Sequence, residues 1–196
     1  MYGYRIVEVA PNSPVSETDL MPFVDFIVSV GGVRLVESQM TLQELVKPNE
    51  NCTVVLEVYS LLTETMRDVP VVPRTWEGDG LLGLTMRYED ALAARDQIYH
   101  VTNVTENSPA DRAGVQAETD YIVGSPNYSI KELDDLEFLA KSQAGLVLSV
   151  YSTATQQVRL VTIRTGYPNA EGSLGLELGM GMLHHLSKRA GFSYMV

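Results

Sequence analysis

Apolar residues recur along this chain in short alternating runs, the spacing of half-buried strands, and helical spacing is confined to a few stretches. Ile6-Val7-Glu8-Val9 reads as one strand and Phe26-Ile27-Val28-Ser29-Val30 as another, closed by Gly31-Gly32. Val54, Leu56 and Val58 alternate with outward positions, Met66 to Val72 is a further strand, and Thr85 to Tyr88 ends the first half. Leu42, Leu45 and Val46 share a helical face at i, i+3 and i+4, with Thr41 placed to cap the helix and Pro48 to stop it. Asn12-Ser13-Pro14 is a turn that opens a short helical segment, since Ser caps and Pro suits the first helical position. In the second half a helix is predicted over Ile130 to Ser142, with Leu133, Leu136 and Leu139 inward.

The pattern then repeats. A slide of 95 residues lays Tyr4, Val9, Asn12, Ser13, Pro14, Asp25, Ile27 and Val28 on Tyr99, Val104, Asn107, Ser108, Pro109, Asp120, Ile122 and Val123. A slide of 92 lays Val55, Leu56, Val58, Tyr59 and Ser60 on Val147, Leu148, Val150, Tyr151 and Ser152, and Gly80, Leu82, Gly83 and Leu84 on Gly172, Leu174, Gly175 and Leu176. A period of about 93 residues is too long for a solenoid unit and indicates a duplicated domain. The expected boundaries are 1–92 and 93–186, with a tail over 187–196 and the stretch Glu89 to Asp96 as the separator. The expected class is α+β, mainly β, each copy a small, partly open barrel of short strands and two helices.

Composition narrows the function. The formal net charge of −11 makes nucleic acid and bare anionic membrane poor partners, because nothing would neutralise phosphates. The single cysteine, Cys52, has no internal disulfide partner and reads as a small buried residue in a reducing, intracellular compartment. No run of about 18 apolar residues and no secretory leader are present. Glu17, Asp19 and Asp25 read as surface, turn or capping carboxylates. His184-His185 has no spaced metal-ligand partner, and no nucleophile or kinase motif occurs, so no catalysis, cofactor or metal is expected.

The candidate chemistry lies in two glycine turns, Leu81-Leu82-Gly83-Leu84 and Ser173-Leu174-Gly175-Leu176, each at the start of a strand. Such a turn points backbone N–H groups into one hollow suited to a carboxylate, and the strand after it can pair with an extended peptide. The pocket floor is expected from Leu82, Leu84 and Met86, facing Leu42, Leu45 and Val46. The first groove is the more apolar and the better ligand site; Trp76 reads as packing.

Asn107-Ser108-Pro109-Ala110, Ala113-Gly114-Val115 and Asp120 to Gly124 resemble the core of PDZ domains, but with the glycine turn after that core, as in circularly permuted PDZ domains. Two such copies, with Trp76 to Gly83, Pro22 to Val28, Thr41 to Lys47 and Gly179-Met180-Gly181-Met182-Leu183-His184, resemble the Golgi reassembly and stacking (GRASP) family over about residues 3–186. The resemblance implies a scaffold on the cytosolic face of the Golgi that tethers and stacks membranes. It also implies self-association, binding of a golgin C-terminal tail, and a role in unconventional secretion. It places a self-association projection at Leu178, Gly179, Met180, Gly181 and Met182. Tyr2 stands where family members carry a myristoylated Gly, so either the start is trimmed or the membrane link is indirect or through an anchor not seen in this chain. Thr18-Asp19 replaces Ala-Gly, and Tyr167-Pro168-Asn169 replaces Trp-Gly-Gly. Arg5, Val7 and Glu89 stand where some members have a proposed zinc site. A second reading takes the chain as the regulatory tandem-PDZ fragment of a larger protease; the Gly179–His184 segment favours the scaffold. The final Tyr194-Met195-Val196 has the form of a peptide that such a groove accepts.

Overall fold

Antiparallel pairing carries most of the regular structure in the computed structural model, which describes residues 1–37, 42–165 and 173–181. The chain divides into two units, Met1–Arg95 and Asp96–Val196. In the first, β1 (Tyr2–Val9), β2 (Asp25–Val30), β4 (Val54–Ser60), β5 (Thr65–Val71) and β6 (Leu84–Asp90) lie in the order β5-β4-β2-β1-β6. The two-residue β3 (Val33–Arg34) hangs on β2 through the Gly31-Gly32 turn. In the second, β7 (Tyr99–Val104), β8 (Asp120–Gly124), β9 (Gly145–Ser152), β10 (Gln157–Arg164) and β11 (Leu176–Gly179) lie in the order β10-β9-β8-β7-β11. The molecule is therefore mainly β, with short helices. In both sheets the last strand returns to lie beside the first.

The registers agree to the residue. Tyr4 faces Ile27 as Tyr99 faces Ile122, and Asp25 faces Ser60 as Asp120 faces Ser152. Alternation turns Ile6, Ile27, Leu56 and Val58 into one core and Val101, Ile122, Leu148 and Val150 into the other. Each such side chain contributes roughly 1.5–3 kcal/mol on full burial.

One expectation about charge is overturned. Asp25 is no surface carboxylate: it is 0% exposed, as is Asp120. Asp25 accepts from Arg67 Nη1 and Nη2 at 3.0 and 2.7 Å and from the Met21 N–H at 2.8 Å. Asp120 accepts from both terminal nitrogens of Arg159 and from the Gln116 N–H. Hydrogen bonding to Asp25 is the largest influence on the Arg67 guanidinium and raises its pKa further, against the cost of burial. Asp19 does remain exposed and holds Arg67 Nε at 3.0 Å. Cys52 is likewise exposed rather than buried, because it sits in the turn that precedes β4.

The helices depart from the spacing argument only in part. Helix α1 is Leu42–Val46 and ends before Pro48, as expected, with Pro48 itself in a 3-10 turn, Lys47–Asn49. Thr41 lies outside the described residues, as do Met182, His184, His185 and residues 187–196. Ala91–Asp96, expected as a separator, is helix α2, with Ala91 and Ala94 buried; an alanine-rich run favours helix. Ser108 caps α3 (Pro109–Arg112), its hydroxyl accepting from the Asp111 N–H. Ser13 starts only turns, because Ser16 Oγ and Thr18 Oγ1 donate to the carbonyls of Ser13 and Val15 and compete with helix formation. Helix α4 is Leu133–Ser142, starting later than expected because Glu132 and Asp135 form a capping box there.

Candidate functional site: two glycine-turn grooves

Each groove is built where two distant motifs meet. Gly83 and Gly175 both have φ of +75°, a conformation that side chains disfavour. A Cβ on Gly83 would fall 2.3 Å from Ser13 Cβ and 2.8 Å from the Trp76 ring; one on Gly175 would fall 2.2 Å from Ser108 Cβ. The serine of each Asn-Ser-Pro turn thus packs directly on the glycine of each glycine turn. The turn carbonyls are tied back: Gly83 O accepts from the Ala10 N–H and Gly175 O from the Thr105 N–H, both at 2.9 Å. Leu81 O and Leu174 O accept from the N–H groups of Arg74 and Ala110.

With the carbonyls committed, the N–H groups of Leu82 and Gly83 have no acceptor among the described residues. In the second turn the Gly175 N–H reaches Ser173 Oγ at 3.3 Å. Leu82 and Gly83 are largely buried residues that line the groove, and backbone N–H groups in such places normally have partners. A carboxylate or carbonyl oxygen from outside would supply one. Trp76 packs against Gly78 and Gly83 and donates from Nε1 to Gly80 O at 3.0 Å, so it shapes the turn.

The first groove encloses about 260 Å³ between α1 and the start of β6. Leu42, Gln43 and Val46 form the helix wall, Leu82, Leu84, Met86 and Tyr4 the floor, and Asp79, Gly80, Leu81 and Gly83 the turn end. The second encloses about 380 Å³. Leu133, Leu136, Glu137, Ala140 and Lys141 form its helix wall, and Ser173, Leu174, Gly175, Leu176 and Leu178 the opposite side. Its rim carries an ion pair, Lys141 Nζ to Glu137 Oε2 at 3.2 Å. The N–H groups of Lys131 and Glu132 donate to the Asp135 carboxylate, holding it below the usual carboxylate range and fixing the start of α4.

The sequence-derived residues are brought together with two exceptions. Leu45 packs on the core and does not line the groove. Leu178 and Gly179 are no projection: they pair with Val101 and His100 as part of β11, and Leu178 faces the second groove. Met180 and Gly181 follow the strand, with Met180 50% exposed. Tyr4, Gln43, Asp79, Gly80, Glu137, Ala140 and Lys141 were missed, and Leu133 and Leu136, expected only as inward helix residues, line the second groove. The i, i+4 spacing of Glu137 and Lys141 was the available signal, whereas Tyr4 is visible only once β1 is known to pair with β6.

Arg5 is buried and donates to Glu89 at 3.2 Å and to Phe23 O at 2.9 Å. Burial lowers the Arg5 pKa, and Glu89 opposes that shift.

A mainly β sheet with a glycine turn and an adjoining helix–strand groove defines a PDZ-like protein. A family model described as the GRASP55/65 PDZ-like domain matches residues 1–75 and 56–189, and the chain belongs to that family. It is 39% identical over 191 residues to Golgi reassembly-stacking protein 1 of Homo sapiens, covering 94% of this chain and 42% of that protein. The Mus musculus protein of the same name matches with the same identity and coverage. GRASP65 homolog protein 1 of Saccharomyces cerevisiae is 26% identical over 166 residues, covering 70% of this chain and 44% of that protein. The chain therefore spans less than half the length of these relatives.

Proposed function

We propose that this chain is the non-catalytic scaffolding part of a Golgi stacking and tethering protein, built from two circularly permuted PDZ domains over residues 1–92 and 93–186. Each domain takes up an extended peptide, C-terminal or internal, as an added strand beside β6 or β11. One observation carries this reading. The edge strand β6 is preceded by a turn whose Leu82 and Gly83 N–H groups have no acceptor among the described residues, and it flanks an apolar groove. The relatives' names, which speak of Golgi reassembly and stacking, support action at Golgi membranes, here on the cytosolic face. The partner of this reading is the C-terminal tail of a golgin-type protein.

Calorimetric titration of the whole chain with nonapeptides ending in a Val or Ile carboxylate is expected to give micromolar binding, about −8 kcal/mol. Leu84 lines the first groove from an exposed edge. Leu84→Lys puts a charge there and is expected to weaken binding at the first groove at least about tenfold, with circular dichroism unchanged. Unchanged affinity in a folded Leu84→Lys chain would remove the first groove from the account.

Self-association is assigned to the tip after β11. Gly181 has φ of +81° and Met180 is half exposed, so a flexible apolar side chain is carried on a turn. A second copy's first groove accepts this tip, a head-to-tail contact. Met180→Asp is expected to shift the sedimentation of concentrated protein towards monomer. Identical sedimentation of variant and parent counts against the contact.

A further inference from the structure

The first groove does not end at its pocket. Leu84, Met86 and Tyr88 share one face of β6, because side chains alternate along a strand. Across the ladder Tyr4 stands opposite Tyr88, and Tyr2 opposite Asp90. The rings of Tyr2 and Tyr88 stack with centroids 5.8 Å apart and planes 18° apart. Tyr4 meets Tyr88 edge-on at 5.1 Å and also lines the groove, so the pocket and the aromatic cluster are continuous.

These rings are not core. Tyr2 is 56% exposed and Tyr88 half-buried. The duplicated sheet does without them: at the offsets of 95 and 92 residues, Gln97 stands for Tyr2 and Met180 for Tyr88, while Tyr99, the counterpart of Tyr4, is buried. The fold therefore does not require a stacked, open pair of tyrosines at this place.

Stacked rings present electron-rich faces that attract cations. Among the described residues the cation–ring contacts put no cation of these strands over the tyrosines, and the Met1 ammonium beside Tyr2 is held by Asp90 at 2.9 Å. Arg5 and Arg87 alternate with the tyrosines and lie on the opposite face, with Arg5 held against Phe23 and Phe26. Asp79 stands at the groove rim, and the net charge is −11. A cation over these rings is best supplied by the ligand.

Register says where on the ligand it lies. A strand added antiparallel to β6, with its aliphatic residue at Leu82–Leu84, runs back towards Asp90 at about 3.4 Å per residue. Its residue about four to six places earlier reaches Tyr88 and Tyr2. We infer that the first groove recognises an extended peptide whose aliphatic anchor is preceded, about four to six residues earlier, by an arginine or lysine lying over the Tyr2–Tyr88 pair. This rests on the reading of the groove as a strand-adding peptide site.

The test is a selection of random nonapeptides with a free C-terminal carboxylate, displayed and panned against the whole chain and against Tyr2→Ala and Leu84→Lys. The expected result is enrichment of an aliphatic end residue together with upstream Arg or Lys. Tyr2→Ala keeps the first preference and loses the second. For one selected peptide, changing the upstream Arg to Gln is expected to weaken binding about three- to tenfold in the parent, and not in Tyr2→Ala. Tyr2 is exposed, so its loss leaves the fold intact. An aliphatic preference without an upstream basic one, or with an aromatic one in its place, overturns this inference and leaves the peptide site standing. No enrichment overturns the peptide-site reading and this inference with it; enrichment that Leu84→Lys does not alter belongs to the second groove, and removes the first groove and this inference.

Discussion

Arg67→Met is expected to destabilise the first unit by about 3–5 kcal/mol, the usual result of leaving one member of a buried ion pair without its partner. The Asp25 carboxylate is 0% exposed, and with Arg67 gone it keeps the Met21 N–H. Asp25→Ala should cost less, because the Arg67 side chain is 28% exposed and already bonded to Asp19, so it can turn to water. The double change Asp25→Leu with Arg67→Met should regain much of the loss, since an apolar pair of similar bulk avoids the desolvation penalty altogether. Trp76 is the only tryptophan and lies in the first unit, so urea unfolding followed by its fluorescence reports that unit alone. An Arg67→Met chain within about 1 kcal/mol of the parent would be inconsistent with a structural role for the pair. Arg159→Met should act likewise on the second unit, followed by calorimetry.

Gly83→Ala is expected to cost about 2–4 kcal/mol and to abolish peptide uptake in the first groove. Two effects add. A side chain at φ +75° is strained by roughly 1–2 kcal/mol. The new methyl group also collides with Ser13 and Trp76, both held in place by the turns around them. Gly80 separates the two effects: its φ is +70°, but an added Cβ would meet nothing closer than Gln43 Nε2 at 3.7 Å. Gly80→Ala should therefore show the strain alone. Ser13→Gly combined with Gly83→Ala should relieve part of the collision and none of the strain. Urea midpoints in which Gly80→Ala is the more damaging change would refute this account.

The sequence revealed the architecture through its repeat, since a duplicated fold writes its strands and turns twice at one offset. It revealed less of what depends on depth. Asp25 looks like any turn carboxylate until β2 is known to be buried on both faces. The pair was nevertheless written twice, as Asp25 and Asp120 at one offset and Arg67 and Arg159 at the other. An arginine recurring at strand spacing was the overlooked sign. Leu45 misled for a different reason. Helix α1 is little more than one turn before the 3-10 segment begins, so ideal helical phase does not carry far enough to tell groove from core. The tyrosine cluster depends on which strands adjoin, and only the closure of β6 onto β1 brings Tyr88 to Tyr4 and Tyr2.

The sheet of the first unit has two margins, and they are chemically unequal. At the margin opposite β6 lies β5, which contains Pro70. Its nitrogen carries no hydrogen to offer a newcomer, which is how edge strands commonly discourage pairing. A strand added beside β6, as proposed, would therefore join a sheet whose far side discourages a second addition. If the proposed strand addition takes place, this sheet would accept one strand per copy, so copies would be joined by one link at a time at β6 and not by sheets extending from both margins.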